Sequence, residues 1–225
     1  ILYGCGERAL LDEGGLAVVG SRKITETLKD YAEQLGALAA SAKMPIVSGV
    51  ARGIDSSAMA GALHNGGDVI GVMADSLGKA ALAKENRQAL LDGRLVLISA
   101  YDPSAGFNVG NAMQRNKAIY ALADAGLVVT ADFNKGGTWT GAIEQLKRMN
   151  LVPVFVCNGA EAGQGNAALI DRGGIAWPEP KTSQELSAAV AQAAAAHSSV
   201  PRCEQLGLEV GEEPTAYTAL QADSE

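Results

Sequence analysis

Arginines, lysines, glycines and hydroxyl side chains are grouped in four short stretches of the sequence. These stretches are "GSRKIT" (20–25), "SGVARGID" (48–55), "QRNK" (114–117) and "NKGGTWT" (134–140). Basic side chains neutralise phosphate groups, glycines let a ligand approach the backbone closely, and hydroxyls donate hydrogen bonds to phosphate oxygens. The four stretches therefore predict an anion-binding site, provided that the fold brings them together.

The elements around these stretches predict an α/β fold. Short apolar runs rich in β-branched residues alternate with longer helical patterns, which indicates parallel strands connected by helices. Strands are predicted at 16–20, 45–49, 68–73, 95–99, 127–130 and 152–157. Helices are predicted at about 25–42, 55–65, 84–92, 110–124, 139–149 and 165–172. The predicted fold class is an open, doubly wound and mostly parallel sheet with helices on both faces.

Ligands of such sheets bind beyond the carboxyl ends of the strands, near the point where the strand order reverses. Each basic stretch follows a predicted strand, so we predict that all four border one crevice. A glycine after a strand is weak evidence alone, because many turns need one. The predicted phosphate-binding residues are Gly20, Ser21, Arg22, Gly49, Arg52, Gly53, Phe107, Arg115, Asn116, Lys117, Lys135, Gly136, Gly137, Thr138 and Thr140.

Three of these residues have a second interpretation. Arg115 and Lys117 fall in a predicted amphipathic helix, where they can equally form its solvated face. Phe107 can stack on a base, but an aromatic residue beside a helix more often fills the core.

The composition limits the class of protein. The chain has 225 residues, 48% of them hydrophobic, and no apolar run long enough for a membrane helix or a signal peptide. We therefore expect a cytoplasmic protein without a membrane partner.

The three cysteines and two histidines show no metal-ligand spacing, and no P-loop or nucleophile motif is present. The sequence predicts no catalytic residue, no metal and no cofactor. "GCGERAL" (4–10) precedes every predicted strand and is not interpreted as a dinucleotide-binding loop.

The formal net charge of −7 is unevenly distributed along the chain. Residues 198–225 contain six acids and one base, a net of −5, which leaves −2 for the other residues. The net charge therefore does not exclude a phosphate ligand. The predicted organisation is a core over 1–181, a helix over 182–197 and an acidic tail over 198–225. The tail is interpreted as disordered, or as partly docked through Leu206, Leu208 and Val210.

Five ordered blocks resemble the DprA/Smf family of DNA-processing proteins. The blocks are "AVVGSRKIT", "IVSGVARGIDSSAMAGALHNGGDVIGVM", "LISAYDP" with "FNVGNAMQRNKAIYALADAGLVV", "KGGTWTGAIEQLKRMNLVPVFV" and "GQGNAALIDRGG". The resemblance covers roughly residues 1–175. It implies an extended Rossmann fold that binds single-stranded DNA, protects it during natural transformation, helps to load the RecA recombinase and commonly forms a homodimer.

The resemblance also implies roles for individual residues. Arg22 matches the arginine of the family's "GSR" motif, and residues 115–117 match its "RNR" motif. The stretch 49–55 matches "SG-A-GID", and the glycine and hydroxyl turn at 136–140 falls where the family has its "SGSL-TA" loop.

Several polar groups of the family are replaced in this chain. Where the family has "AH" after "GID", this chain has Ala58 and Met59. Ala100 replaces the glutamate of "LISE", and residues 128–131 replace "VVEA". We therefore expect a divergent member. We expect these 225 residues to contain neither the helical domain that often precedes the family's core nor the winged-helix domain that follows it.

The predicted function is single-stranded DNA binding without catalysis. The alternative is a nucleotide-binding or nucleotide-sensing protein, or a nucleoside-monophosphate phosphoribohydrolase of the LOG type. "KGGTWTGAIE" is similar to the LOG loop "PGG-GT--E", but Glu144 follows Thr138 by six residues instead of three. A third interpretation is a dimeric interaction scaffold with a vestigial crevice, whose acidic tail contacts a basic partner or occupies the cationic crevice.

Overall fold

A single sheet of eight strands forms the centre of the protein. The computed structural model describes residues 1–159 and 161–198. The strands are β1 (Tyr3–Gly6), β2 (Leu16–Val19), β3 (Ile46–Ser48), β4 (Val69–Met73), β5 (Leu95–Ser99), β6 (Ala125–Val128), β7 (Val154–Val156) and β8 (Ile175–Ala176). Their order is β1-β5-β4-β3-β2-β6-β7-β8, and every neighbouring pair is parallel except β1 with β5. The predicted fold class is confirmed.

Helices cover both faces of the sheet. They are α1 (Glu26–Ser41), α2 (Ile54–His64), α3 (Leu77–Leu82), α4 (Lys84–Leu91), α5 (Val109–Ala121), α6 (Gly136–Glu144), α7 (Gln164–Ile170) and α8 (Ser183–Ser198). The buried side chains of α1 to α4 and α8 belong to one core, and those of α5, α6 and α7 belong to a second core on the opposite face. Within the described ranges, no helix is long and apolar enough to cross a membrane.

The sequence patterns do not predict β1, α3 and β8. β1 contains the first glycines of "GCGERAL", so the prediction that this segment precedes every strand is wrong. Its residues are mostly exposed on an antiparallel edge strand, and they therefore lack the apolar pattern of the central strands. The helix predicted at 139–149 begins earlier, at Gly136, and its last turn, Gln145–Met149, is π-helical.

The strand order reverses between β2 and β6. The chain leaves β2 towards β3, β4 and β5 on one side, and it returns to pair β6 on the other side. The connections after β2 and β6 therefore diverge to opposite sides and leave a gap at the carboxyl edge of the sheet. This gap places the first and fourth of the basic stretches next to each other.

The C-terminal helix α8 packs on the core formed with α1. Thr182 accepts a hydrogen bond from the backbone N–H of Glu185 at 3.2 Å, which confirms the predicted helix start. Leu186, Val190 and Ala193 are buried in this core. Residues 199–225, with most of the predicted acidic tail, lie outside the described residues, and the predicted domain limits stay predictions.

Two glycines set the contact between α1 and α2. A Cβ atom at Gly36 would overlap the carbonyl oxygen of Ala58, and one at Gly61 would overlap that of Glu33. Each glycine thus lets the backbone of one helix touch the other. The loop after β3 leads directly into the start of α2. The contact between the two helices therefore also fixes one side of the carboxyl edge of the sheet.

We predict that Gly61→Ala lowers the free energy of unfolding by about 1–3 kcal/mol, because the added methyl group must push the two helices apart. Gly159→Ala is the matched control, since no heavy atom lies within 4 Å of a Cβ atom built there. Denaturant unfolding of both variants measures the effect. Equal stabilities of the two variants would contradict the close contact.

Candidate functional site

A crevice of about 870 Å³ opens beyond the carboxyl ends of β2 and β6. Its walls are the loops after β2, β3 and β6, one face of α5 along most of its length, and the first turns of α2 and α6. The crevice therefore lies at the point where the strand order reverses, as expected for this fold class. The predicted site residues that line it are Gly20, Ser21, Arg22, Phe107, Arg115, Asn116, Lys135, Gly136, Gly137, Thr138 and Thr140.

The other four predicted residues are not part of this lining. Lys117 forms an ion pair with Glu144, with 3.1 Å between Nζ and Oε1. Arg52 is exposed on the loop before α2. The interpretation of Lys117 and Arg52 as phosphate contacts stays a prediction.

Gly49 and Gly53 are required for close packing. A Cβ atom at Gly49 would overlap Nη1 of Arg115, and one at Gly53 would overlap the carbonyl oxygen of Ser21. Gly53 also has a φ of 90°, which glycine adopts far more readily than other residues. Both glycines thus act on the crevice indirectly, by letting its side chains and loops take their positions.

The start of α6 forms one wall of the crevice. Lys135 is the N-cap residue and makes no side-chain capping hydrogen bond. The N–H groups of the first turn have no partner within the helix and carry a partial positive charge, which suits an anion. The Thr138 hydroxyl donates to the carbonyl oxygen of Gly20 at 2.9 Å, and the Asn116 amide donates to that of Gly137 at 3.1 Å. These two side chains hold α6 against the loop after β2 and against α5.

Arg115 lies at the floor of the crevice. Its side chain is only 7% exposed, and the closest opposite charge is Asp55, with 3.8 Å between Nη1 and Oδ2. Nε and Nη1 are buried without a hydrogen-bond partner among the described residues. Burial lowers the pKa of Arg115 from its ordinary value, partly offset by Asp55. Unpaired donors of a buried cation are costly, and the negative charge of a ligand in the crevice would stabilise the guanidinium.

Asp55 is the buried acid beneath Arg115. Its Oδ2 accepts a hydrogen bond from the backbone N–H of Gly49 at 3.2 Å. Burial raises the pKa of Asp55 to about 6, while Arg115 and the backbone N–H groups of Ala51, Gly49 and Gly20 act in the opposite direction. The carboxylate therefore contacts the loops after β2 and β3 as well as α5.

Exposed cations and an aromatic ring form the rim of the crevice. Arg22, Lys23 and Lys135 are exposed and line its mouth. Phe107 is 56% exposed, and the Arg22 guanidinium carbon lies 5.3 Å from the centre of its ring. The interpretation of Phe107 as a core residue is wrong, because the residues that follow it start α5 at the surface. Its ring is available for stacking.

Several lining residues escape the sequence prediction. Those on α5 recur every three or four residues and form one helical face with Asn116, a spacing from which they could have been found. Tyr120 is only 1% exposed, and its hydroxyl is buried without a partner in the described ranges. Burial and the nearby Asp55 raise its pKa. The unpredicted lining residues include Lys23, Val109, Ala112, Met113, Tyr120 and Asp132.

The fold and the crevice define a Rossmann-like protein with a cationic site at its switch point. A family model described as "DNA recombination-mediator protein A" matches residues 1–188. The chain therefore belongs to the DprA/Smf family of DNA-processing proteins, and the resemblance stated from the sequence is confirmed.

Three relatives illustrate this membership. Protein Smf of Escherichia coli K12 is 32% identical over 184 residues, which cover 78% of this chain and 48% of that protein. The structure of DprA from Streptococcus pneumoniae is 26% identical, with a TM-score of 0.68, and the match covers 83% of this chain and 65% of that one. The structure of DprA from Helicobacter pylori, described for its single-stranded DNA binding mode, is 25% identical with a TM-score of 0.68, covering 85% and 86%. The chain thus spans about half the length of the curated relative.

We predict that Asp55 makes the stability of the protein depend on pH. Its pKa is raised from 3.8 to about 6 in the folded state, so the folded protein holds this proton more tightly than the unfolded chain. The resulting stabilisation is present below the unfolded pKa and is lost as the pH rises through about 6. Relative to Asp55→Asn, the wild type should gain roughly 2 kcal/mol on going from pH 7 to pH 4.

Denaturant unfolding of the wild type and of Asp55→Asn across this pH range measures the difference, and the other titrating groups cancel because the two chains share them. A difference that is constant with pH, or that shifts in favour of the variant on acidification, would contradict the buried carboxylate.

Proposed function

We propose that the crevice binds the sugar-phosphate backbone of single-stranded DNA and that the protein acts in recombination without catalysing a reaction. The observation that carries the proposal is the Arg115 guanidinium, which lies at the crevice floor with buried, unpaired donors below a rim of exposed cations.

The charges of the crevice support a phosphate ligand. Arg22, Lys23 and Lys135 can neutralise phosphates at the mouth, while Arg115 adds a positive charge at the floor. The two acids of the lining are Asp55, which faces Arg115, and Asp132, which is exposed beside the start of α6. The net charge of these residues is positive, and the free N–H groups at the start of α6 add to the attraction.

The exposed Phe107 ring supports a single strand instead of a duplex. Bases of a single strand are free to stack on an aromatic side chain, whereas those of a duplex are already stacked and paired. Arg22 lies over the same ring and can contact the phosphate next to the stacked base. The DprA structure from Helicobacter pylori, described for its binding of single-stranded DNA, gives independent support from within the family.

We predict that Arg115→Ala weakens the binding of single-stranded oligonucleotides about 10-fold or more, because it removes a charged donor from the floor of the site. The loss should be alike for different base sequences, and the slope of log affinity against log salt should become shallower by roughly 0.7 for the lost phosphate contact. Fluorescence polarisation at several salt concentrations measures both quantities.

Arg87→Ala serves as the matched control, because Arg87 is an exposed arginine on α4 that does not line the crevice. This variant should retain the affinity of the wild type. Single-strand binding that is independent of salt, or equal losses for the two variants, would overturn the proposal.

The carboxylates support a protein without hydrolase activity. Glu144, the counterpart of the LOG glutamate, pairs with Lys117 and does not line the crevice. Asp55 is buried against Arg115 and the backbone.

We therefore predict that incubation with nucleoside monophosphates releases no free base above the level of a protein-free control in chromatography. Base release that disappears in Glu144→Gln would instead establish the phosphoribohydrolase alternative.

The cellular role extends the same proposal. Membership in the family of recombination-mediator proteins supports protection of incoming strands and loading of a RecA-type recombinase, by a cytoplasmic homodimer. These activities concern the whole protein, and the chain spans only 48% of its curated relative. They are proposed on family membership alone and add to the DNA binding that is argued from the crevice.

A further inference from the structure

A second exposed aromatic ring with an arginine over it lies beyond the crevice. Phe133, on the loop between β6 and α6, is 47% exposed. Its ring packs edge to face on Trp139, with 5.1 Å between the ring centres, and Trp139 is itself buried. The Arg172 guanidinium carbon lies 5.9 Å from the centre of the Phe133 ring and 5.5 Å from that of Trp139. We refer to Phe133, Trp139 and Arg172 as the Phe133 patch.

The Phe133 patch is held in position by the fold. The Arg172 Nη1 donates a hydrogen bond to the carbonyl oxygen of Ala168 at 2.7 Å, which fixes the guanidinium at the end of α7. Trp139 anchors the Phe133 ring from below, in the first turn of α6. A ring that is fixed before binding loses little conformational freedom when a flat ligand stacks on it.

The patch repeats the chemistry of the crevice rim. Each site has an exposed phenylalanine ring with an arginine guanidinium close to it. At the crevice rim the pair is Phe107 and Arg22, and in the patch it is Phe133 and Arg172. An aromatic face with an adjacent cation is the combination by which proteins bind single-stranded nucleic acid without reading its sequence, since the ring takes a base and the cation takes a phosphate.

The two pairs lie on either side of the start of α6. This helix packs between α5, which follows Phe107, and α7, which precedes Arg172. Lys135 and the free N–H groups of the first turn of α6 lie at the boundary, because Lys135 follows Phe133 by two residues and also lines the crevice. A strand that leaves the crevice across the start of α6 would reach Phe133 next.

We propose that the Phe133 patch is a second stacking site for single-stranded nucleic acid, which receives a base of the strand after it leaves the crevice. This inference rests on the proposed function of the crevice. The acids near the patch, Asp132 and Asp171, are exposed and offset its charge. The contribution of the patch therefore comes from stacking more than from long-range attraction, and it should depend less on salt than that of Arg115.

Photocrosslinking tests the stacking directly. Single strands of about 12 thymidines, a length within the usual range for one site, carry one 5-iodouracil and are irradiated with the full chain. Mass spectrometry then maps the crosslinked residues. We expect crosslinks at Phe133 as well as at Phe107. Crosslinks at Phe107 without any at Phe133 would overturn the inference while leaving the crevice intact.

Affinity measurements supply the second arm. Phe133→Leu should weaken binding of the 12-nucleotide strand about 5- to 30-fold and leave a strand of about 4 nucleotides unaffected, since the short strand fills only the crevice. Leu91→Ala, which truncates another exposed apolar side chain, on α4, should bind both strands like the wild type. Equal affinity of Phe133→Leu and the wild type for the longer strand would overturn the inference.

Folding and function are separated by two further measurements. The melting temperature of Phe133→Leu reports whether the variant keeps its fold, and its tryptophan emission reports on the surroundings of Trp139 and Trp177 together. If they change, Arg172→Lys replaces Phe133→Leu, because it keeps the charge and loses the planar group, and it should show the same selective loss for the longer strand. If the wild type binds neither strand, the proposed function itself fails, and the second stacking site fails with it.

Discussion

The arrangement of the crevice depends on one buried carboxylate. Asp55, in the first turn of α2, lies against the backbone of the loops after β2 and β3 and faces Arg115 of α5. Three segments that are distant in sequence thus meet at a single side chain. A buried ion pair is weak evidence for stability, because both charges lose their hydration, but removal of one partner leaves the other uncompensated. We infer that the pair specifies where Arg115 lies more than it stabilises the fold.

Several glycines make this arrangement possible. Gly49 leaves the space that the Arg115 guanidinium occupies, Gly53 lets the loop before α2 touch the loop after β2, and Gly61 lets α2 lie directly on α1. These three glycines therefore act on the site by packing. The crevice itself is lined by side chains of α5, by the exposed cations of the rim and by the first turn of α6.

The sequence predicts the fold class and eleven of the residues that line the crevice, and the reason is physical. In a parallel sheet, the residues that follow the strands must meet at one edge, so "GSRK" and "NKGGT" can be placed together without coordinates. The sequence does not predict whether a side chain on a helix faces the crevice or its neighbour. Lys117, two residues after Arg115, pairs with Glu144 instead, and Phe107 is at the surface instead of in the core. Edge elements such as β1 and β8 are short and partly exposed, and they leave no apolar pattern. The Phe133 patch depends on tertiary contacts between α6 and α7 that no local spacing indicates.

Binding of DNA at the crevice floor can be tested most directly by NMR. The side-chain signal of the Arg115 Nε–H group is followed during a titration with oligothymidine. This group is buried and has no partner among the described residues, so its signal reports on the crevice floor. We predict a saturable shift of this signal with the same midpoint as DNA binding measured by polarisation. DNA binding that saturates while the Arg115 signal stays unchanged would contradict the account, because the strand would then bind elsewhere on the protein.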